Sequence, residues 1–137
     1  MASIDQQLAK LEKRLLSIPK ELKTGLQPTL DKAAAEVAAS AKTLSPGDDG
    51  TLASTIRVES GRHELSRAIV AGGAATTKPV EDGQDGSYDY AFAQELGTQH
   101  QQPNKFLLPA MRIRFQRNRR RITREAGKII RGLWGRP

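Results

Sequence analysis

The chain contains no cysteine, so disulfide staples and thiolate metal sites are excluded, and a reducing compartment is permitted without being demanded. Aromatic residues are scarce as well: one Trp, two Tyr and three Phe among 137 residues. Leu, Ile, Val and Phe together make up only about a fifth of the chain, close to the composition at which disorder competes with folding. A monomer built from so little apolar material has a thin core, and contacts between subunits are expected to supply part of the missing burial. No apolar run approaches the roughly 18 residues of a membrane span. The first residues, MASIDQQLAKLEKR, lack the apolar stretch of a signal peptide. The expectation is a soluble, unprocessed single domain with no membrane partner.

Acidic residues are nearly absent from the C-terminal end. From Arg112 onward ten basic residues face one acid, Glu125, whereas the first 111 residues carry twelve basic and fourteen acidic, so the net charge of +7 comes entirely from the last 26 residues. Such a segment can meet phosphate, an anionic membrane surface or an acidic protein, and charge by itself does not choose among them.

What is present is a sequence of clear periodicities. Ile4, Leu8, Leu11, Leu15, Ile18 and Leu22 alternate spacings of four and three, the stripe of an amphipathic helix. Pro19 predicts a kink or break in it. A second helical pattern runs from Leu26 to Leu44, with Pro28 suited to its first turn and small residues at Ala33-Ala34-Ala35 and Ala38-Ala39 suited to close packing. Ser45-Pro46-Gly47 and Asp48-Asp49-Gly50 stop it. The period then changes to two: Leu52, Ser54, Ile56 and Val58 alternate as in a half-buried strand, Ser60 to His63 turns, and Leu65 to Ala71 returns, making an antiparallel hairpin. Residues 74 to 87 are polar and glycine-bearing and predict a mobile loop. An edge strand near Tyr88 to Tyr90 and a short helix from Ala91 to Leu96 precede a long basic helix, which starts at Leu108-Pro109 and carries Met111, Phe115, Ile122, Ala126, Ile129 and Leu133 with one gap at Asn118. The gap coincides with the densest charge, and the helix is expected to leave the body there. The fold class is α+β. Residues 1–24 form the N-terminal helix, 25–116 the body and 117–137 a basic helical extension.

Catalytic and metal chemistry find little support. His63 and His100 are the only histidines and fall in predicted loops, too far apart in the sequence to suggest a metal pair. No nucleophile-elbow glycines surround Ser54, Ser60 or Ser66. Residues 82 to 86, DGQDG, lack the twelve-residue ligand ladder and closing Glu of a calcium loop. Gly72-Gly73 lacks the Lys and Ser/Thr of a phosphate loop and reads as a strand end. No cofactor is expected.

Two passages carry a family resemblance. Ala41-Lys42-Thr43-Leu44-Ser45-Pro46, followed by Gly50-Thr51-Leu52-Ala53-Ser54-Thr55-Ile56-Arg57-Val58, is one. Tyr90-Ala91, Glu95-Leu96-Gly97-Thr98 and Phe106-Leu107-Leu108-Pro109-Ala110 form the other. In order and spacing, over roughly residues 29 to 125, the chain resembles the Hong Kong 97 gene-ten-like tail-component family of long-tailed bacteriophages. It departs from the family pattern in having Gly50-Thr51 where Thr-Gly is usual and Lys105 where a Pro usually precedes the Phe. The resemblance implies a non-enzymatic virion subunit that forms a ring, commonly a hexamer, as a connector, neck or tail-completion protein. Its partners would be its own copies and neighbouring neck, tail-tube or tail-terminator proteins. It would reside in the virion, and in the host cytoplasm during assembly.

Under that implication Tyr90, Glu95, Phe106, Arg117, Arg119, Arg120, Arg121 and Arg124 are candidate interface residues. Glu95 reads equally as a solvated carboxylate or as the partner of an Arg on the same or a neighbouring subunit. Gly97 suits a left-handed helix cap, with Thr98 bonding back to local backbone. The arginines fall around most of the helix and admit three readings: contact with acidic surfaces of neighbours, contact with DNA passing through a ring, or a solvated face. If DNA is met, Arg117, Arg120, Arg121, Arg124 and Lys128 would face it, with few polar side chains among them to read bases. A small nucleic-acid-binding protein acting through this helix is the alternative function.

Overall fold

The computed structural model describes residues 3–47, 49–79 and 86–134. Helix α1 (Ile4–Leu44) is followed by a one-turn helix α2 (Thr51–Thr55), strands β1 (Arg57–Ser60) and β2 (Arg67–Val70), and a 3-10 turn (Ala74–Thr76). Strands β3 (Thr77–Pro79) and β4 (Ser87–Asp89) come next, then the short helix α3 (Tyr90–Leu96) and the long helix α4 (Leu107–Trp134). The class is α+β, with a long N-terminal helix, two small antiparallel sheets, a short helix and a long basic C-terminal helix.

Helix α1 starts at a reciprocal cap: the Ser3 hydroxyl accepts from the Gln6 amide, and the Gln6 side chain accepts from the Ser3 amide, each at 3.2 Å. It then continues for 41 residues through both Pro19 and Pro28, so the break expected at Pro19 does not occur and Pro28 is internal rather than in a first turn. Each proline removes the amide that would bond the carbonyl four residues earlier. Those carbonyls belong to Leu15 and Thr24, which lie on exposed stretches where water can replace the missing donor.

Helix α4 packs antiparallel on α1. Arg114 Nε donates to Ser40 Oγ at 3.0 Å, Arg121 Nη2 donates to Glu36 Oε1 at 3.0 Å, and a Cβ placed on Gly25 would stand 2.5 Å from Ile129 Cδ1. As α4 advances, its partners on α1 recede. The helix therefore does not leave the body near Asn118. The interruption of its apolar repeat is instead a polar layer inside the helix pair, where half-buried Asn118 lies on the same side of α4 as Arg114 and Arg121. Extrapolated at 1.5 Å per residue, the end of α4 lies level with about residue 20 of α1, leaving roughly 24 Å of α1 projecting beyond it.

The core is small and rich in alanine. Val37, Ala38, Ala41, Leu52, Ile56, Ala91, Phe106 and Ala110 form one buried cluster, with Ile69, Ala71, Tyr90 and Leu107 packed against it. Phe106 and Ala110 are wholly buried. The strand expected from Leu52 begins only at Arg57, because residues 51–55 form α2. Buried Leu52 and Ile56 are four apart, a spacing that serves a helical turn as well as a strand. The residues that would decide for a strand, Ser54 and Val58, are exposed. The Ser54 and Thr55 hydroxyls each donate at 2.6 Å to the carbonyl three residues earlier, closing the turn.

The expected hairpin is present as β1 and β2, antiparallel with Arg57 opposite Val70 and Ser60 opposite Arg67. It is tied to α1 through Arg67, whose Nε donates to Asp31 Oδ1 at 2.7 Å and whose Nη2 donates to Gln27 Oε1. The region expected to be a mobile loop contains a second antiparallel pair: Thr77 opposes Asp89 and Pro79 opposes Ser87. The Asp82 to Asp85 part of the sequence considered against a calcium loop lies outside the described residues.

Candidate interaction surface

Two carboxylates organise the junction between the second hairpin and the last helix. Asp89 ends β4 and caps α3: its Oδ1 accepts from the Ala91 amide at 2.9 Å and from the Thr76 hydroxyl, and its Oδ2 accepts from the Gly73 amide at 2.9 Å. The backbone beside it must be glycine. Gly72 has φ +98°, and a Cβ there would lie 2.3 Å from Asp89 Oδ2. Burial pushes the Asp89 carboxyl up, but its bonds to Thr76, Ala91 and Gly73 outweigh that and hold it below the usual range.

Glu95 reaches across to the start of α4. Its Oε2 accepts from the amides of Phe106 at 2.8 Å and Leu107 at 3.0 Å, and its Oε1 accepts from Leu108 at 3.0 Å. A helix leaves its first amides without partners, and here one side chain from outside the helix satisfies three of them. Glu95 is thus not a free solvated carboxylate, and among the described residues it pairs with no arginine. Partial burial raises its pKa, while the Phe106, Leu108 and Leu107 amides, with Lys105 nearby, lower it more.

Gly97 closes α3 with φ +77° and ψ 173°. The positive φ matches expectation, but this pair of angles lies in a region essentially restricted to glycine rather than in the left-handed helical one. A Cβ there would also lie 2.9 Å from Pro103 Cδ and 3.0 Å from the Gln101 carbonyl oxygen. Thr98 bonds locally, its hydroxyl accepting from the His100 amide at 3.2 Å.

The candidate residues from the sequence divide between inside and outside. Phe106 lies wholly within the chain, at the centre of the core. Tyr90 is half-buried against that core, with Lys78 Nζ 5.1 Å from its ring centroid. Arg121 is turned to α1, where its pairing with Glu36 leaves only 12% of its side chain exposed. That guanidinium, helped by Arg117 and Arg114, holds the Glu36 carboxyl below its usual range against the opposing effect of burial. Arg117, Arg119, Arg120 and Arg124 are exposed, and among the described residues none has a hydrogen-bond or ion-pair partner. Lys128 is exposed and pairs with Glu125 at 3.3 Å.

The arginines therefore do not surround the helix evenly. At 3.6 residues per turn, Arg117, Arg120, Arg124, Lys128 and Arg131 fall within about a quarter of its circumference. Arg117, Arg120, Arg121 and Arg124, with Ile113 and Gln116, line one shallow groove.

Apolar surface is abundant elsewhere. Ile4, Leu8, Leu11 and Leu15 are 40 to 75% exposed along the projecting part of α1. Phe92 and Leu96 on α3 are exposed beside a groove that reaches Leu107, and Leu108, Met111 and Phe115 are exposed along one face of α4. Among the described residues, large exposed apolar side chains outnumber the buried ones, which are Leu26, Val37, Leu52, Ile56 and Phe106. Among the described residues no helix is long and apolar enough to cross a membrane, and no cluster of His, Asp or Glu could hold a metal ion.

Asp89 and Glu95 were not legible as caps from the interface reading, although an Asp immediately before Tyr-Ala-Phe is a recognised helix-start signal. Compared with known families, residues 9–96 match the bacteriophage HK97-gp10-like tail-component family. The matched span takes in the Ala41 to Val58 passage and Tyr90 to Leu96, and ends before Phe106. No curated protein and no solved structure matches the chain.

Proposed function

The chain belongs to the HK97-gp10-like family of bacteriophage tail components, and from that we propose that it is a non-enzymatic virion subunit that assembles into a ring at the head–tail junction. In this reading it acts as a connector, neck or tail-completion protein. Its partners are its own copies, in a ring taken to be hexameric, and the neck, tail-tube or tail-terminator proteins above and below. The virion is its site of residence.

The observation that carries the assembly reading is the exposed apolar surface. An isolated soluble monomer rarely leaves contiguous apolar faces of this kind in water. Here one lies along Ile4, Leu8, Leu11 and Leu15 on α1, and further exposed apolar pairs are Phe92 with Leu96 on α3 and Met111 with Phe115 on α4. Docking them against other subunits recovers burial that the small alanine-rich core lacks, at about 25 cal/mol per Å² of apolar area covered.

The deciding experiment is the solution mass of the full chain by light scattering, at low and moderate salt. A discrete ring-sized species stable to salt supports the reading. A monomer at every concentration, with the neighbouring neck proteins present as well as absent, overturns it.

A further inference from the structure

We propose that the outward face of α4 binds duplex DNA through its phosphate backbone, without reading sequence. The site is the stripe Arg117, Arg120, Arg124, Lys128 and Arg131, which goes beyond the assembly reading and does not depend on it.

Charge, geometry and what the stripe omits all point the same way. Arg114 and Arg121 are committed to Ser40 and Glu36 on α1, so they orient the helix and leave the other cations facing out. Arg117, Arg120, Arg124 and Arg131 are exposed and have no hydrogen-bond or ion-pair partner among the described residues. From Arg117 to Arg131 the stripe runs about 21 Å along the axis. That length of duplex presents roughly twelve phosphate charges. Four of the five cations are arginines, whose planar fork pairs with phosphate oxygens two at a time.

An acidic protein partner fits less well, because protein interfaces are anchored by apolar or aromatic side chains at their centre. Between Arg117 and Arg131 this face offers none; a single exposed Ile113 stands at its N-terminal end, and Leu108, Met111 and Phe115 lie on a different side of the helix. Single-stranded nucleic acid needs aromatic platforms for stacking, and the stripe has none. Sequence readout needs polar side chains aimed at base edges; the Asn118 side-chain oxygen is buried and only Gln116 borders the groove.

The test measures binding of the full-length protein to a short labelled duplex of arbitrary sequence and to a permuted copy, by fluorescence anisotropy between about 50 and 200 mM salt. Both duplexes should bind equally, with log affinity falling linearly in log salt. Replacing Arg117, Arg120 and Arg124 together by Gln should reduce that slope by nearly 3, at about 0.9 per phosphate contact, and weaken binding about tenfold or more. Thermal unfolding should change little, since none of the three makes a hydrogen bond or ion pair among the described residues and Arg117 acts on Glu36 only through its charge. The control Lys10→Gln, Lys13→Gln, Lys20→Gln removes the same charge from α1 and should leave the slope intact.

The proposal is overturned if the control loses as much as the triple variant, or if poly-glutamate displaces the duplex from the wild-type protein as well as unlabelled DNA does. The second result would assign the stripe to an acidic protein surface and needs no variant. Light scattering on the same samples keeps the two readings apart. A monomer that binds DNA retains this site whether or not a ring forms with the neck proteins, whereas a ring without affinity for DNA removes this site and retains the assembly reading.

Discussion

Glu95 is a single side chain whose role follows from three distances. Its carboxylate satisfies the Phe106, Leu107 and Leu108 amides, so Glu95→Ala strips the first turn of α4 of its cap while opening no cavity in the core. The expected loss is about 1–2 kcal/mol of unfolding free energy, measured by urea titration. Glu95→Gln should lose less, because one oxygen can still accept.

The same bonds set an acid sensitivity. Glu95 and Asp89 both have pKa values held below their ordinary ones in the fold. The stability they contribute is complete above the unfolded values, about 4 for carboxylates, and is lost as pH falls through the lowered folded values. Unfolding free energy should therefore decline below about pH 4 in the native chain, and Glu95→Gln should flatten that decline. An equally steep acid limb in the variant would exclude Glu95 as a source.

Gly97 was legible in the sequence as a helix-ending glycine, and its positive φ is as expected. The contact with Pro103 was not legible, because it joins two segments that meet only after the chain turns. Gly97→Ala suffers both the backbone restriction and the steric contact, and should cost about 1–3 kcal/mol. A neutral effect on the denaturant midpoint would contradict the backbone angles.

At the scale of elements, the packing of α4 on α1 turns on the polar layer that fills the gap at Asn118. Arg121 with Glu36 and Arg114 with Ser40 face each other across the two helices, and Arg121 Nη1 and Glu36 Oε2 are buried without a hydrogen-bond partner among the described residues. Removing one member of such a pair strands the other, whereas replacing both with apolar residues can be nearly neutral. Glu36→Leu alone should therefore lower the melting temperature more than Glu36→Leu with Arg121→Leu. A double variant that melts below both singles would contradict this. The layer was invisible in the sequence because Asn118 reads as a fault in one helix, and only the partner helix shows what occupies it. The misread strand at Leu52 has a similar origin: two buried positions four apart satisfy either period, and the solvent exposure of Ser54 and Val58 in the folded chain was the missing arbiter.

At the scale of the whole molecule, the projecting end of α1 is the feature most in need of a partner. Leu8 and Leu15 are 57% and 51% exposed and touch none of the core cluster. Leu8→Asp with Leu15→Asp should leave the stability of the single chain within about 0.5 kcal/mol, as for surface substitutions generally. If that end joins subunits, the solution mass should fall. An unchanged mass would move the subunit contact elsewhere, to the Phe92 and Met111 faces.

The sequence by itself determined the α+β class, the helical character of residues 4–44, the long C-terminal helix, the first hairpin, the short helix ending in Gly97 and the concentration of positive charge at the C-terminal end. These follow from local periodicity, turn chemistry and composition, all of which act within a few residues of chain. Tertiary structure alone decided that α1 runs unbroken through its prolines and that residues 51–55 form a helical turn. It alone decided that Glu95 caps a helix eleven residues away, and that Arg121 turns inward while Arg117, Arg120 and Arg124 stay in water. Each of those outcomes rests on a contact or a solvent exposure set by residues distant in sequence, and no local pattern carries that information.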